Sequence, residues 1–159
     1  MASHTSSASG ASRDALRIAL WVAQVVLFLV FAVTGLVKIT MPIAQVAPVM
    51  EWVTDVPPAL VRFIGVAELA GAVGVLLPAL TRVRPDLAPL AALGITIVMA
   101  LATVVHLTRG EATRAAVPLV LGALAAFVAW GRYARAPIKA REAPRGPRGA
   151  YADRHGRAT

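Results

Sequence analysis

The sequence predicts an all-α integral membrane protein, a bundle of four transmembrane helices with a short interfacial helix between the first and second spans. Three observations support this fold class. The 159 residues are 58% apolar with a mean hydropathy of +0.71, which few water-soluble domains of this size reach. The apolar residues form four long runs, each close to the roughly 20 residues that cross a bilayer. Basic residues collect outside those runs, as expected of membrane proteins.

The first run, residues 17–37, follows a Ser- and Ala-rich segment, residues 1–14, that composition predicts to be a disordered tail. The run is longer than the apolar core of a cleaved signal peptide, and no small-residue cleavage site follows it, which favours an uncleaved helix. One side of this helix carries a weakly polar stripe at helical spacing. The stripe consists of Gln24, Phe31, Thr34 and Lys38.

The connector that follows, residues 40–58, has the apolar period of a short helix lying on the membrane surface. Pro48 limits the length of that helix, because proline is tolerated only near a helix start. The second run covers residues 59–77, and Pro78 is expected to end it.

The third run covers residues 87–107 and is expected to close at Gly110, a residue type that commonly ends helices. The fourth run covers residues 115–130 and is expected to stop at Gly131. From there a Pro-, Gly- and Arg-rich segment, residues 133–159, is predicted to be a basic disordered tail. One face of the third run carries Thr96, Met99, Thr103 and His106 at steps of three and four residues.

The distribution of charge predicts the orientation. Four spans put both termini and the turn at residues 81–85 on one side of the membrane, which carries twelve basic residues against four on the other. The termini are therefore expected to be cytoplasmic. The abundance of Ala and of Arg over Lys favours a bacterial source, and hence the inner (plasma) membrane. Beside a membrane helix, the basic tail is assigned to orientation and to anionic lipid rather than to nucleic acid.

Glu68 lies alone among apolar residues of the second run. An acid at the centre of a bilayer costs about 2.5–3.5 kcal/mol, so such residues usually face a protein interior or a wet cavity. Gly65, Gly71 and Ala72 share its helix face, and small residues allow a neighbouring helix to approach closely. Glu68 is therefore expected to point into the bundle.

Several polar residues gather with Glu68 in the outer half of the predicted bundle. Lys38 ends the first span, His106 ends the third, and Glu68 lies roughly 14 Å from the outer end of the second at 1.5 Å per residue. In one interpretation, Glu68 pairs with Lys38, Arg62 or His106 and fixes helix packing. In the other, these groups line an outward-facing pocket that binds a polar head group such as that of a quinone. The candidate pocket residues are Glu68, His106, Lys38, Arg62, Thr34 and Thr103.

The sequence lacks the residues that several other classes of function require. The sequence has no cysteine, which excludes disulfides, thiol catalysis and iron–sulfur ligation by this chain. Only His106 lies in or near a span, whereas a bis-histidine haem needs two. No metal-ligand cluster or nucleotide-binding loop is present. The sequence thus assigns no metal and no catalytic residue.

Several short segments of the spans form a recognisable pattern: Gly35-Leu36-Val37-Lys38, residues 65–74, residues 76–82, residues 88–94, Val98-Met99 and His106-Leu107. Together they resemble the DoxX-like family of small four-span bacterial membrane proteins, over about residues 15–132. The resemblance implies a four-helix membrane bundle, and the positions of Lys38, Glu68 and His106 match recurring polar positions of that family.

The resemblance also implies a functional context, since the family takes its name from a subunit of a thiosulfate:quinone oxidoreductase. The leading hypothesis is an accessory subunit of a quinone-linked redox system, more a non-catalytic subunit than a stand-alone enzyme, with a redox-enzyme partner or a second copy of itself. One alternative is a membrane scaffold or assembly factor. Another is a small-solute permease, which would need a polar path through the inner half of the bundle.

Overall fold

The computed structural model describes the backbone of residues 4–141 and the side chains of residues 10–141. Four of its helices are long and apolar enough to cross a membrane, which confirms the predicted helical membrane bundle. The helices are α1 (His4–Thr40), α2 (Ile43–Val46), α3 (Pro58–Thr81), α4 (Leu87–Thr108) and α5 (Ala112–Trp130). A 3-10 turn at Glu51–Thr54 precedes α3, and a π-helical turn at Gly131–Arg135 extends α5.

The four long helices form a closed ring, in which α1 packs on α3, α3 on α4, α4 on α5 and α5 on α1. Short connections make successive long helices antiparallel. We call the end of the bundle that holds the α3–α4 turn and the last turn of α5 the termini end. The other end, with residues 41–57 between α1 and α3, is the connector end.

The core between these helices is built from medium-sized and small apolar side chains. Only 17% to 33% of the residues in each membrane-spanning window are buried, so most apolar side chains face outward, as a lipid environment requires. The buried cluster consists of Ala23, Leu27, Phe31, Ala72, Val75, Ala92, Ile95, Met99, Ala125 and Val128.

Helices α1 and α3 touch through their backbones at Gly35 and Gly65. A Cβ atom on Gly35 would lie 2.7 Å from the carbonyl oxygen of Gly65, and one on Gly65 would lie 2.9 Å from that of Gly35. No side chain larger than hydrogen fits either position without moving backbone. The close approach expected on the Glu68 face is thus made with α1, whereas Gly71 faces Ile95 of α4.

Several predicted boundaries differ from the structure. Pro78 does not end α3, which continues to Thr81. Proline disturbs the turn before it, and its own carbonyl still accepts the backbone N–H of Arg82 at 3.0 Å. The α-helical part of α5 does end at Trp130, directly before Gly131, but the chain continues from Gly131 as the π-helical turn. A Cβ at Gly131 would overlap Leu20 of α1, so this glycine serves close packing.

The connector and the tails also differ from the expectation. The connector forms two short pieces, α2 and the 3-10 turn, instead of one helix, with Pro48 between them. Residues 4–14, predicted to be disordered, continue α1. At the other terminus, residues 136–141 lack helix, and the N–H of Arg141 donates to the carbonyl of Arg82 at 3.0 Å. The rest of the predicted tails, residues 1–3 and 142–159, lies outside the described residues.

The α1–α3 contact predicts that Gly65→Ala lowers thermal stability, because the new methyl group meets the Gly35 backbone. Overpacking of this kind typically costs about 1–3 kcal/mol. Thermal unfolding of the detergent-purified protein measures the effect. Gly94→Ala is the matched control in α4, since a Cβ there has nothing within 4 Å. Equal midpoints for the two variants would contradict the close approach.

Candidate functional site

A buried ion pair joins α1 and α3 in the half of the bundle nearest the connector. The Nζ atom of Lys38 lies 2.8 Å from Oε1 and 2.7 Å from Oε2 of Glu68. The two side chains are 5% and 10% exposed. Lys38 lies one helical turn after Thr34 on the core-facing stripe of α1, and Glu68 lies one turn after Gly65, so the Gly35–Gly65 contact brings the two charges together. Of the predicted pairings for Glu68, the structure forms the one with Lys38.

Two more of the predicted residues adjoin this pair. The hydroxyl of Thr34 lies 3.0 Å from Oε2 of Glu68 and 3.0 Å from the carbonyl oxygen of Val30. A hydroxyl has one proton, so it donates to only one of these oxygens at a time. The guanidinium of Arg62 donates to the backbone carbonyl of Lys38. Thr34, Lys38, Arg62 and Glu68 therefore form one cluster, which we call the Lys38–Glu68 cluster.

The connector packs over this cluster. The indole ring of Trp52 lies with its centroid 6.0 Å from Nζ of Lys38, at the limit of a cation–π contact. Val46 and Val53 of the connector are buried against Val61 of α3, with Trp52 at the edge of the same apolar group. The connector thus covers the outer side of the ion pair with apolar and aromatic surface.

The structure places the remaining two candidates elsewhere. The Nδ1 atom of His106 lies 2.7 Å from Oε2 of Glu111, in the α4–α5 turn. The hydroxyl of Thr103 donates to the carbonyl of Met99 in its own helix at 2.8 Å. Neither residue bonds to Glu68 in the structure. Helical spacing places Thr103 and His106 on one face of α4 but does not determine the partners of that face.

His106, in the last turn of α4, instead belongs to a network of ion pairs at the connector end of the bundle, which sequence reasoning did not identify. Arg109 contacts Asp55 at 2.6 Å and Glu111 at 3.0 Å. Arg114 contacts Glu51 at 2.6 Å. Because Glu51 and Asp55 flank the 3-10 turn, these pairs fasten the connector to the α4–α5 turn. We call this group the connector ion-pair network.

The network lowers the pKa values of two of its acids, Glu51 and Glu111. The hydrogen bond with His106, followed by that from Arg109, holds the pKa of Glu111 below its ordinary value. The hydrogen bond from Arg114 does the same to the pKa of Glu51. Asp55 and Glu111 together raise the pKa of Arg109. The two pairs that reach the connector, Arg109–Asp55 and Arg114–Glu51, are exposed. Each is therefore weak by itself, but both favour the same position of the connector.

A second buried polar group lies at the termini end. The amide nitrogen of Gln24 donates to the carbonyl of Val75 at 2.6 Å, and Nε of Arg132 donates to the amide oxygen of Gln24 at 2.8 Å. Gln24 was part of the predicted stripe, but Arg132 was counted with the basic tail. The spacing of Ala125, Val128 and Arg132 at three and four residues on one buried face of α5 is the signal that could have identified it.

An open apolar groove of about 540 Å³ runs along the outer surface of α3. Its lining runs along α3 from Val66 to Pro78 and is completed by Ile39 of α1 and Leu87 of α4. Lys38 and Glu68 do not line the groove, which lies on the lipid-facing side of the helix that carries Glu68.

The fold and this site define the chain as a small four-helix membrane protein with a buried ion pair between its first and second spans. The model of the DoxX-like family matches residues 22–128, which is more than half of the chain. The protein therefore belongs to the DoxX-like family, as its motifs indicated. No curated protein matches it, and no solved structure matches it either.

The depressed pKa of Glu111 predicts an acid-sensitive connector. A group whose pKa is lowered on folding contributes stability above its ordinary pKa of about 4.5 and loses that contribution as the pH falls through the folded value. The wild-type protein should therefore lose thermal stability below about pH 4.5, and Glu111→Gln should lose less over the same interval. Thermal midpoints measured from pH 7 to pH 3 provide the comparison.

Asp86→Asn is the control for that experiment, because Asp86 pairs with Arg84 at 3.6 Å, at the termini end and away from the connector. It should follow the wild-type pH dependence. If Glu111→Gln has the same acid-induced loss as the wild type, Glu111 does not stabilise the connector.

Proposed function

We propose that this protein is an accessory subunit of a quinone-linked redox system in the bacterial plasma membrane, and that it holds a quinone head group at the Lys38–Glu68 cluster. The observation that carries the proposal is a buried ion pair inside a membrane span, and the same helix, α3, also bears an apolar groove on its lipid-facing side. Intramembrane charges of this kind are rare and usually functional. The family resemblance favours a quinone among possible ligands.

The donors of the cluster suit a quinone carbonyl. An ammonium group has three protons, and Lys38 directs Nζ at two oxygens of Glu68. One N–H therefore remains for a ligand oxygen. When the hydroxyl of Thr34 donates to the carbonyl of Val30 instead of to Glu68, a lone pair of the Glu68 carboxylate is free to accept a hydroquinone O–H. These groups would orient both the oxidised and the reduced head group.

The groove on α3 suits the tail of the same ligand. Its lining is almost entirely apolar, including Val66, Leu69, Val73 and Leu77, which matches an isoprenoid chain lying against the helix within the bilayer. A head group at Glu68 and a tail in this groove would place the ligand at the lipid boundary, so exchange with the membrane pool would need no channel.

The chain lacks cysteine, so thiol or iron–sulfur chemistry would come from a partner subunit, which is why we assign an accessory role. The excess of basic residues at the termini end supports a cytoplasmic position for both termini. The Lys38–Glu68 cluster would then lie in the outer half of the membrane, with the connector facing outward.

Replacing both charges tests the site without leaving one charge buried and unpaired. Lys38→Met combined with Glu68→Leu should keep the thermal midpoint near that of the wild type, because apolar replacement of a buried ion pair is often neutral or stabilising. Quinone retained through gentle extraction, measured by native mass spectrometry, should fall at least about tenfold, since hydrogen bonds to charged groups contribute roughly 1.5–3 kcal/mol each.

Thr96→Val is the control, because the hydroxyl of Thr96 donates to the carbonyl of Ala92 in its own helix at 2.8 Å. It should retain quinone as the wild type does. A folded double variant with wild-type quinone content would rule out the Lys38–Glu68 cluster as the binding site.

A membrane scaffold is the second candidate, favoured by the fact that both carboxylate oxygens of Glu68 already have donors within the bundle. A purely structural pair predicts that neither the wild type nor the double variant contains quinone. Both should then recover the same partner proteins, in equal yield, from solubilised membranes. Co-purification followed by mass spectrometry distinguishes this outcome from the quinone site.

A further inference from the structure

We infer that Arg132, Gln24 and Trp21 form an anion-binding site at the termini end of the bundle, and that its ligand is a phosphate group, in the membrane that of an anionic phospholipid. This site is independent of the Lys38–Glu68 cluster. It lies toward the opposite end of the bundle and involves the π-helical turn after α5 instead of the connector.

Arg132 is buried without a countercharge. The residue is 5% exposed, and within residues 10–141 its guanidinium forms no ion pair with any carboxylate. Its Nε donates to Gln24, but Nη2 is buried and has no acceptor among the described residues. A buried charge without a partner costs several kcal/mol, so an anion bound to the guanidinium would remove a large penalty.

The neighbours of Arg132 orient the guanidinium but do not neutralise it. Gln24 is itself held by its hydrogen bond to the carbonyl of Val75. The ring centroid of Trp21 lies 4.9 Å from Cζ of Arg132, which is cation–π distance. These contacts occupy the Nε edge and one face of the planar group, while Nη2 belongs to the edge that binds phosphate and carboxylate in a forked geometry.

The local backbone explains why this arginine turns inward. The π-helical turn Gly131–Arg135 widens the last turn of α5, and such turns occur frequently at functional sites. Gly131 packs directly against Leu20 of α1, which brings the backbone of α5 close to the start of the first span. Arg135 is exposed and stacks instead on Trp130, with 5.3 Å between Cζ and the ring centroid.

The surroundings indicate an anion from the membrane. The described acids at this end, Asp14 and Asp86, pair with Arg17 and Arg84, so they are not partners of Arg132. Basic pockets between transmembrane helices at the cytoplasmic surface are typical sites for anionic lipid head groups. The exposed basic residues described at the same end are Arg13, Arg17, Arg82, Arg84, Arg135, Lys139 and Arg141.

The test measures lipid binding by the full chain in detergent, with native mass spectrometry and thermal unfolding. The probes are phosphatidylglycerol, zwitterionic phosphatidylcholine and inorganic phosphate alone. We expect the wild type to retain phosphatidylglycerol in preference to phosphatidylcholine and to gain thermal stability from it. Arg132→Gln should lower the phosphatidylglycerol affinity at least about tenfold, as expected for a lost hydrogen-bonded charge.

Arg135→Gln is the matched control, because it removes the same charge three residues later from an exposed position. It should change the affinity by no more than about twofold, as expected of a surface charge. Arg132→Lys covers the case in which Arg132→Gln does not fold. It keeps the charge but loses the forked geometry, so we expect a weakened preference for phosphatidylglycerol in a folded protein.

Three results would overturn the inference: equal retention of both lipids by the wild type, wild-type lipid affinity in a folded Arg132→Gln or Arg132→Lys variant, or an equal loss in Arg135→Gln. Stabilisation by inorganic phosphate alone, abolished in Arg132→Gln, would support the anion site and identify a free anion as its ligand. Stabilisation by phosphatidylglycerol only would identify the lipid head group.

Discussion

The backbone contact between α1 and α3 at Gly35 and Gly65 is the constraint on which the connector half of the bundle depends. Once the two helices touch there, side chains one turn away on each helix have to share the same space. In lipid no water compensates a separated charge, so Lys38 and Glu68 are stable at this position only as a pair. The same contact therefore determines both the helix packing and the location of the polar cluster.

The two ends of the bundle use buried polar groups in different ways. At the connector end, the charges of Lys38 and Glu68 neutralise each other and Thr34 adds a further hydrogen bond. At the termini end, the partners of Arg132 among the described residues are an amide oxygen and an aromatic face. The charge of Lys38 is thus compensated within the bundle, whereas that of Arg132 has no compensating carboxylate among the described residues. The apolar middle of the bundle separates the two.

Outside the membrane, the connector is held by charge pairs in water and by a small apolar cluster around Val53 and Val61. Exposed ion pairs are individually weak and sensitive to salt and pH. The position of the connector over Lys38 is therefore expected to respond to salt and pH.

The sequence by itself determined the four spans, the core-facing stripe of α1 and the inward position of Glu68, because the bilayer imposes length and polarity on each segment separately. The tertiary structure alone decided that Glu68 pairs with Lys38, that His106 pairs with Glu111 and that Arg132 is buried. Helical periodicity states which residues share a face. It does not state which helix packs on that face or at what axial position, and these depend on contacts such as Gly35 on Gly65 that join distant parts of the chain.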